Sequence, residues 1–283
     1  MKLARFDSNG VPQLGAVVGD AIVPLRNLAP EFATMRELAS SDRDTIARLS
    51  DLVARTVPEV ELSAVRLLAP IERPGKYLGI GMNYADHMKE AERLGVKQQP
   101  NQTWFNKQTT CVVGPYDDIE PGVTEKLDYE VELGVVIGSN AKSVSAADAH
   151  RHVFGYFVAN DVSARDWQFH SQTFMMGKSF DTHGPIGPWI VTADEVPDPH
   201  VLGLRCLVNG ELRQESNTSK MISNIWDQIA YLSTAFTLET GDLLATGTPE
   251  GVGVAMSPPQ FLKRGDVIRC EVDGVGAIEN KVA

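Results

Sequence analysis

A chain of 283 residues with 43% hydrophobic content is long enough for one large domain, or a large one with a small partner, and can bury a core that folds unaided. Its formal net charge of −11 and the lack of any basic run argue against nucleic acid and anionic membrane as partners, which leaves small molecules. The N-terminus lacks the apolar stretch of a signal peptide, no window carries the ~18 apolar residues of a transmembrane helix, and Cys111, Cys206 and Cys270 show no C-x-x-C spacing, so a cytoplasmic protein with reduced thiols is expected.

In chain order, the alternating segments Gln13 to Val18 and Asp20 to Leu25, separated by Gly19, predict a hairpin. Residues 34–57 place Met35, Leu38, Ile46, Leu49 and Leu52 at helical spacing. The proline and glycine density of Ala69-Pro70-Ile71-Glu72-Arg73-Pro74-Gly75 then marks a boundary between a small N-terminal α/β domain, 1–70, and a larger domain, 71–283, that carries the chemistry.

Lys76 to Ile80 reads as a strand, and Asn83 as the N-cap of a short helix running to about Leu94 and stopped by Gly95. On that helix His87 and Glu90 stand at i and i+3, close enough for the carboxylate to orient the imidazole, and a polar stretch, 92–103, follows. Gly79-Ile80-Gly81 is not a dinucleotide fingerprint, since Tyr84 stands where the third glycine belongs.

The segment from Leu127 to Gly138 alternates as a strand, with Tyr129, Val131, Leu133, Val135 and Ile137 on one face and Asp128, Glu130 and Glu132 on the other. At about 3.3 Å per residue, Glu130 and Glu132 lie roughly 6.6 Å apart along the backbone, so their carboxylates can converge on one point. Solvent could separate two such charges, a proton could neutralise one, or a divalent cation could hold both.

Val153 to Ala159 is a further apolar strand ending at Asp161, where a carboxylate commonly caps the next turn. Lys178 lies among small and aromatic residues, and by itself reads as a surface lysine. Asn209-Gly210 and Asp273-Gly274 mark tight hairpins in a strand-rich C-terminal half. Between them Ile222, Ile225, Trp226, Ile229, Leu232 and Phe236 form a helical core stripe, stopped by Gly241. The strand from Leu243 runs into a glycine-rich turn through Gly253 that lacks the Gly-Lys-Ser/Thr ending of a P-loop.

Five segments occur in one order: Asn83-Tyr84-Ala85-Asp86-His87-Met88-Lys89-Glu90, Asp128-Tyr129-Glu130-Val131-Glu132-Leu133-Gly134, Asn160-Asp161-Val162-Ser163-Ala164-Arg165-Asp166, Gly177-Lys178-Ser179-Phe180-Asp181 and Thr246-Gly247-Thr248-Pro249-Glu250-Gly251-Val252-Gly253. With these the chain, over about residues 70 to 283, strongly resembles the fumarylacetoacetate hydrolase (FAH) family. The first 70 residues resemble the small N-terminal domain of longer members. The resemblance implies an α+β, β-rich fold, a mixed β-sandwich roll with a small N-terminal domain, usually a homodimer. It implies Mg²⁺ or Mn²⁺ held by Glu130, Glu132 and Asp161, a His87/Glu90 pair with Lys178 as catalytic groups, and Arg165, Gln168 and Thr248 on the substrate.

Such a site suits a small 2-oxo acid, whose carboxylate and keto oxygens can fill two positions on a hard cation. C–C hydrolysis of an acylpyruvate-type (2,4-diketo) acid, of the kind found in aromatic catabolism, is the leading expectation. Decarboxylation of oxaloacetate comes second, and hydration or isomerisation of an unsaturated 2-oxo acid third, because all pass through a similar enolate. A metal-stabilised protein without turnover has no use for the His87/Glu90 pair.

Overall fold

A computed structural model describes residues 1–97 and 99–283; Gln98, within the polar stretch after the His87 helix, lies outside the described residues. A mixed sheet of twelve strands forms the body of the molecule. At its centre Val131–Ile137 lies between Val153–Asn160 and Leu243–Ala245, antiparallel to both. Leu243–Ala245 in turn runs parallel to Tyr77–Gly81. A separate sheet of four strands, Gly203–Val208, Glu211–Asn217, Val267–Val272 and Gly276–Lys281, contains both hairpins expected from Asn-Gly and Asp-Gly. The fold is thus α+β and β-rich, as the family resemblance implied.

The central strand is buried on both faces, so its alternation separates two cores rather than core from water. Leu133, Val135 and Ile137 pack with Leu204, Cys206, Ile268 and Cys270 of the small sheet. Val136, Phe157 and Leu243 face the opposite way, toward Leu3, Leu14, Met35 and Leu38 of the N-terminal region. All three cysteines are free and buried.

The N-terminal strands extend the large sheet directly, with Lys2 and Leu3 paired antiparallel to Val191 and Ile190. The expected hairpin forms from Val11–Val18 and Ala21–Pro24. The expected 34–57 helix is two helices, Met35–Ala39 and Arg43–Ala54, because Thr34 and Asp42 each cap a separate start. Leu52 consequently faces solvent and Val53 takes the core position.

Other expectations shift in ways that bear on the site. Tyr84, not Asn83, is the N-cap of the helix Ala85–Arg93. The acidic strand is interrupted at Tyr129 and Glu130, leaving Leu127–Asp128 paired with Ser163–Ala164 and a new strand starting at Val131. The last helix, Ile225–Ala235, is capped by Asn224, so Ile222 precedes it and is exposed, while Ile225, Ile229 and Leu232 form the core stripe. Among the described residues no helix is long and apolar enough to cross a membrane.

Candidate metal centre and active site

Glu130, Glu132 and Asp161 are buried, and their carboxylates each place an oxygen within 4.8 Å of the others. The break before Val131 lets Glu130 approach Glu132. Asp161, one residue past the neighbouring strand Val153–Asn160, donates its backbone N–H to the Glu130 carbonyl at 2.9 Å. The turn cap expected of Asp161 is not its role: its two oxygens accept Lys107 Nζ at 2.5 Å and Lys178 Nζ at 2.7 Å.

Asp128, the third acid of the expected face, is turned away from this cluster. Its oxygens accept the backbone N–H groups of Gly253 and Val254 at 2.8 and 2.9 Å and Arg165 Nε at 2.9 Å, tying the glycine-rich loop to the guanidinium. Arg165 also ion-pairs with Glu130 at 2.7 Å and donates to Gln168 Oε1 at 3.0 Å.

Lys178 is 2% exposed and far from the surface position its sequence context suggests. It sits on the short helix Met175–Lys178, which approaches Arg165–Gln168 at Gly177, where a Cβ would meet the Gln168 backbone at 2.4 Å. Its Nζ donates to Glu130 at 2.8 Å and to Asp161, which leaves one of an ammonium's three N–H groups for the cavity it lines. Burial disfavours its charge, yet Asp161 and Glu130 outweigh that and raise its pKa.

The same competition separates the two glutamates. Burial would push Glu130 up, but Lys178 and Arg165 hold it down at about 2. Glu132 is pushed well above the usual carboxylate range, first by burial and then by Asp161 and Glu130. Its Oε2 accepts the Gly247 N–H at 2.7 Å, and its Oε1 is buried without a partner. Gly247 takes a positive φ of 102° here, and a Cβ on it would meet Asn83 at 2.7 Å.

These observations fit a divalent cation. Among the described residues, the buried network that Arg165 extends from the centre to Asp128 sets four carboxylates, those of Asp128, Glu130, Glu132 and Asp161, against three cations, Lys107, Arg165 and Lys178. One positive charge is missing, and the orphaned oxygen of Glu132 belongs to the group that carries the excess. All-oxygen donors suit Mg²⁺ or Mn²⁺. A dication turns the deficit into a surplus of one, which a monocarboxylate ligand cancels.

His87 and Glu90 meet as their spacing predicts, with Nδ1 and Oε2 3.2 Å apart. Glu90 also accepts the Gly251 N–H at 3.0 Å, docking the helix on the glycine-rich loop. Asn83 fixes the other end from within, donating to the Ser223 and Thr246 carbonyls at 3.0 and 2.8 Å and accepting Ser223 N–H at 2.9 Å. His87, Glu90, Glu130, Arg165, Gln168, Lys178 and Thr248 all line one cavity of about 470 Å³, and Asp161 and Glu132 lie close to its lining residues Lys178 and Glu130. The Thr248 hydroxyl is already engaged, donating to the Val131 carbonyl at 2.9 Å and accepting from Gln214 at 2.8 Å.

Sequence reasoning passed over Lys107 and Gln214. Lys107 follows Thr103–Asn106 and shares the period-two face of the buried Phe105, and that alternation was its only local signal. Gln214 holds Thr248 and accepts the Val131 N–H at 3.0 Å, from a strand of the other sheet, a contact no local pattern encodes.

The fold and the acidic centre define a metal-site enzyme of the FAH type. Residues 76–283 match the family model described as fumarylacetoacetate (FAA) hydrolase C-terminal, and residues 1–70 match Rv2993c-like, N-terminal. The chain belongs to the fumarylacetoacetate hydrolase family. It is 42% identical over 290 residues to the mitochondrial oxaloacetate tautomerase FAHD2B of Bos taurus, covering 100% of this chain and 91% of that protein. Among solved structures it resembles a fumarylacetoacetate hydrolase from Exiguobacterium antarcticum, with TM-score 0.83, 36% identity, and coverage of 100% and 99%. It also resembles the maleylpyruvate hydrolase from Sphingobium sp. SYK-6 in complex with manganese(II) and pyruvate, with TM-score 0.83, 32% identity and the same coverage.

Proposed function

We propose that this protein is a divalent-metal-dependent hydrolase that cleaves the C3–C4 bond of an acylpyruvate-type 2,4-diketo acid. The observation that carries the reading is the His87/Glu90 pair, held over the cavity that Glu130 and Lys178 also line. Glu130, Glu132 and Asp161 would hold Mg²⁺ or Mn²⁺, which would supply a Lewis acid for a 2-oxo acid.

The chain's own groups supply the proton transfers. With Nδ1–H donated to Glu90, His87 presents Nε2 as a base and takes a proton from water as the water oxygen attacks C4. The C3–C4 bond breaks and its electron pair moves to C3, giving a pyruvate enolate and a carboxylic acid. His87 returns the proton to C3. The remaining N–H of Lys178 faces the developing negative charge, a preorganised donor that needs no reorientation. Arg165 is held by Asp128, Glu130 and Gln168, so it shapes the floor more than it reaches for substrate.

Keto–enol tautomerisation of oxaloacetate is a second reading, supported by the 42% identity to a full-length relative of that name. It uses His87 on a C3 proton and needs no water. Incubating the Mg²⁺- or Mn²⁺-loaded protein with 2,4-diketo acids, oxaloacetate and unsaturated 2-oxo diacids, with products followed by NMR, separates the readings. Pyruvate plus a carboxylic acid supports hydrolysis. Enol–keto exchange of oxaloacetate without bond cleavage, and no cleavage of any diketo acid, overturns it.

A further inference from the structure

The cavity has two unlike halves. Its floor is charged, but its walls are apolar, formed by Leu94, Val96, Phe105, Phe169, Phe174 and Phe261. Three of these rings make one cluster: Phe105 and Phe174 pack edge to face at 6.4 Å, and Phe174 and Phe169 at 5.6 Å. Phe105 carries the cluster to the reacting end, since Lys178 Nζ lies 5.0 Å from its centroid.

Two features of this wall are costly for the fold. Phe169 leaves 64% of its surface in solvent while lining the cavity. Phe174 adopts a left-handed backbone, φ 60°, which is unfavourable for a bulky side chain. Neither is needed to fill the core. Both line the cavity away from its charged floor, space that a small ligand on the floor would leave unfilled.

The charge pattern limits what enters that space. Besides the floor, the described lining residues include a single further cation, Lys126, which is exposed at the rim. A second carboxylate buried among the rings would lack a partner, at a desolvation cost that an apolar group avoids. We infer that the 2-oxo acid taken by this site carries an uncharged apolar acyl tail, aryl or bulky alkyl, seated on the Phe105–Phe174–Phe169 cluster, and that short-chain diacids are poor ligands. This names the substrate class of the reading above and rests on it for the position of the oxo-acid head.

Binding to the Mg²⁺-loaded protein, measured by calorimetry, tests the tail apart from the reaction, because simple 2-oxo acids lack the scissile bond. The probes are 2-oxobutanoate, 2-oxo-4-phenylbutanoate and 2-oxoglutarate. The phenyl compound is expected to bind about 100-fold more tightly than 2-oxobutanoate, the scale of filling an apolar pocket, and 2-oxoglutarate no more tightly than 2-oxobutanoate. Phe174→Gly keeps the left-handed backbone without strain, and Phe169→Ala changes a surface side chain; each should reduce the phenyl preference about 10-fold. A preference for 2-oxoglutarate over the phenyl compound, a preference unaltered in both variants, or no binding of any probe overturns the inference. If the phenyl preference holds but benzoylpyruvate is not cleaved, the tail assignment stands and the hydrolase reading fails. If benzoylpyruvate is cleaved but 2-oxoglutarate binds best, only the tail assignment fails.

Discussion

Lys107 Nζ lies 2.5 Å from Asp161 Oδ1, with both side chains fully buried. The same ammonium donates to the Lys178 carbonyl at 2.6 Å, so one lysine positions both an acid of the centre and the residue that carries the second lysine. Removing one partner of a buried pair leaves an uncompensated charge, which typically costs about 3–5 kcal/mol. Lys107→Met should therefore lower the stability of the metal-free protein by about that amount. Saturating Mn²⁺ should recover part of the loss by giving Asp161 a counter-charge. Urea unfolding with and without Mn²⁺ measures both, and a loss under about 1 kcal/mol would mean the pair contributes little.

Glu132 should respond to mutation with opposite signs. Its pKa is raised in the metal-free fold by burial and by its acidic neighbours, so metal-free stability is highest below the usual carboxylate range and is lost as pH rises and the group must ionise. Glu132→Gln keeps an acceptor for Gly247 N–H and removes the charge. At neutral pH this variant should be more stable than the parent without metal, yet bind Mn²⁺ at least 10-fold more weakly for want of a charged ligand. A variant less stable than the parent without metal, or with parental Mn²⁺ affinity, contradicts the account. Chelator should likewise abolish turnover in the parent while far-UV circular dichroism is retained, since the cores contain no metal-dependent contact.

What could be read from the sequence follows the range of the interactions. The Asn-Gly and Asp-Gly hairpins and the i, i+3 meeting of His87 with Glu90 are local, and the structure reproduces them. Alternation brought Glu130 and Glu132 to one point, as the structure has them, but wrongly grouped Asp128 with them, and Asp161 joined the set only through the family pattern. The interruption at Tyr129 and Glu130 is set by partners distant in the chain, since Asp128 is held by Gly253 and Val254 and Glu130 N–H by Asn160. Asn83 shows the same limit. Asn before a helix is a good cap by local rules, but its amide satisfies Ser223 and Thr246, 140 and 163 residues away.

His183 gives the fold an acid-sensitive element next to the centre. It is buried and stacked on Phe180 at 5.1 Å; Nε2–H donates to the Glu120 carbonyl at 3.0 Å, and Nδ1 has no partner. Burial, and then the Lys107 ammonium, push its pKa down to about 4 from an ordinary 6.5. The unfolded chain therefore binds this proton more tightly than the fold. Stability from the neutral ring is fully present above about pH 6.5 and is lost as pH falls toward 4, about 3 kcal/mol in total. His183→Gln preserves the donor to Glu120 and removes the titration. Urea midpoints should fall less between pH 7 and 4.5 in this variant than in the parent, and parallel declines would assign the acid sensitivity to other groups.

The final prediction separates water activation from enolate stabilisation. Cleavage of a diketo acid requires a base for water, whereas loss of carbon dioxide from oxaloacetate chiefly needs the positive charge that stabilises the enolate. His87→Ala should therefore lower diketo-acid cleavage by about 10²- to 10⁴-fold, or about 3–5 kcal/mol of barrier, and affect any oxaloacetate decarboxylation far less. Lys178→Ala and Glu130→Ala should damage both, because the proposed mechanism uses the lysine, held by its carboxylate partner at 2.8 Å, to stabilise the enolate in each reaction. Glu90→Gln should fall between, since the amide can still accept from His87 but no longer offers a charged acceptor, and the bond to Gly251 weakens. Because Glu90 also docks the helix, rates must come from single-turnover mixing, which isolates chemistry from helix opening and product release. If His87→Ala leaves single-turnover cleavage within about threefold of the parent, the water-activating base is some other group and the hydrolytic mechanism built on this pair is wrong.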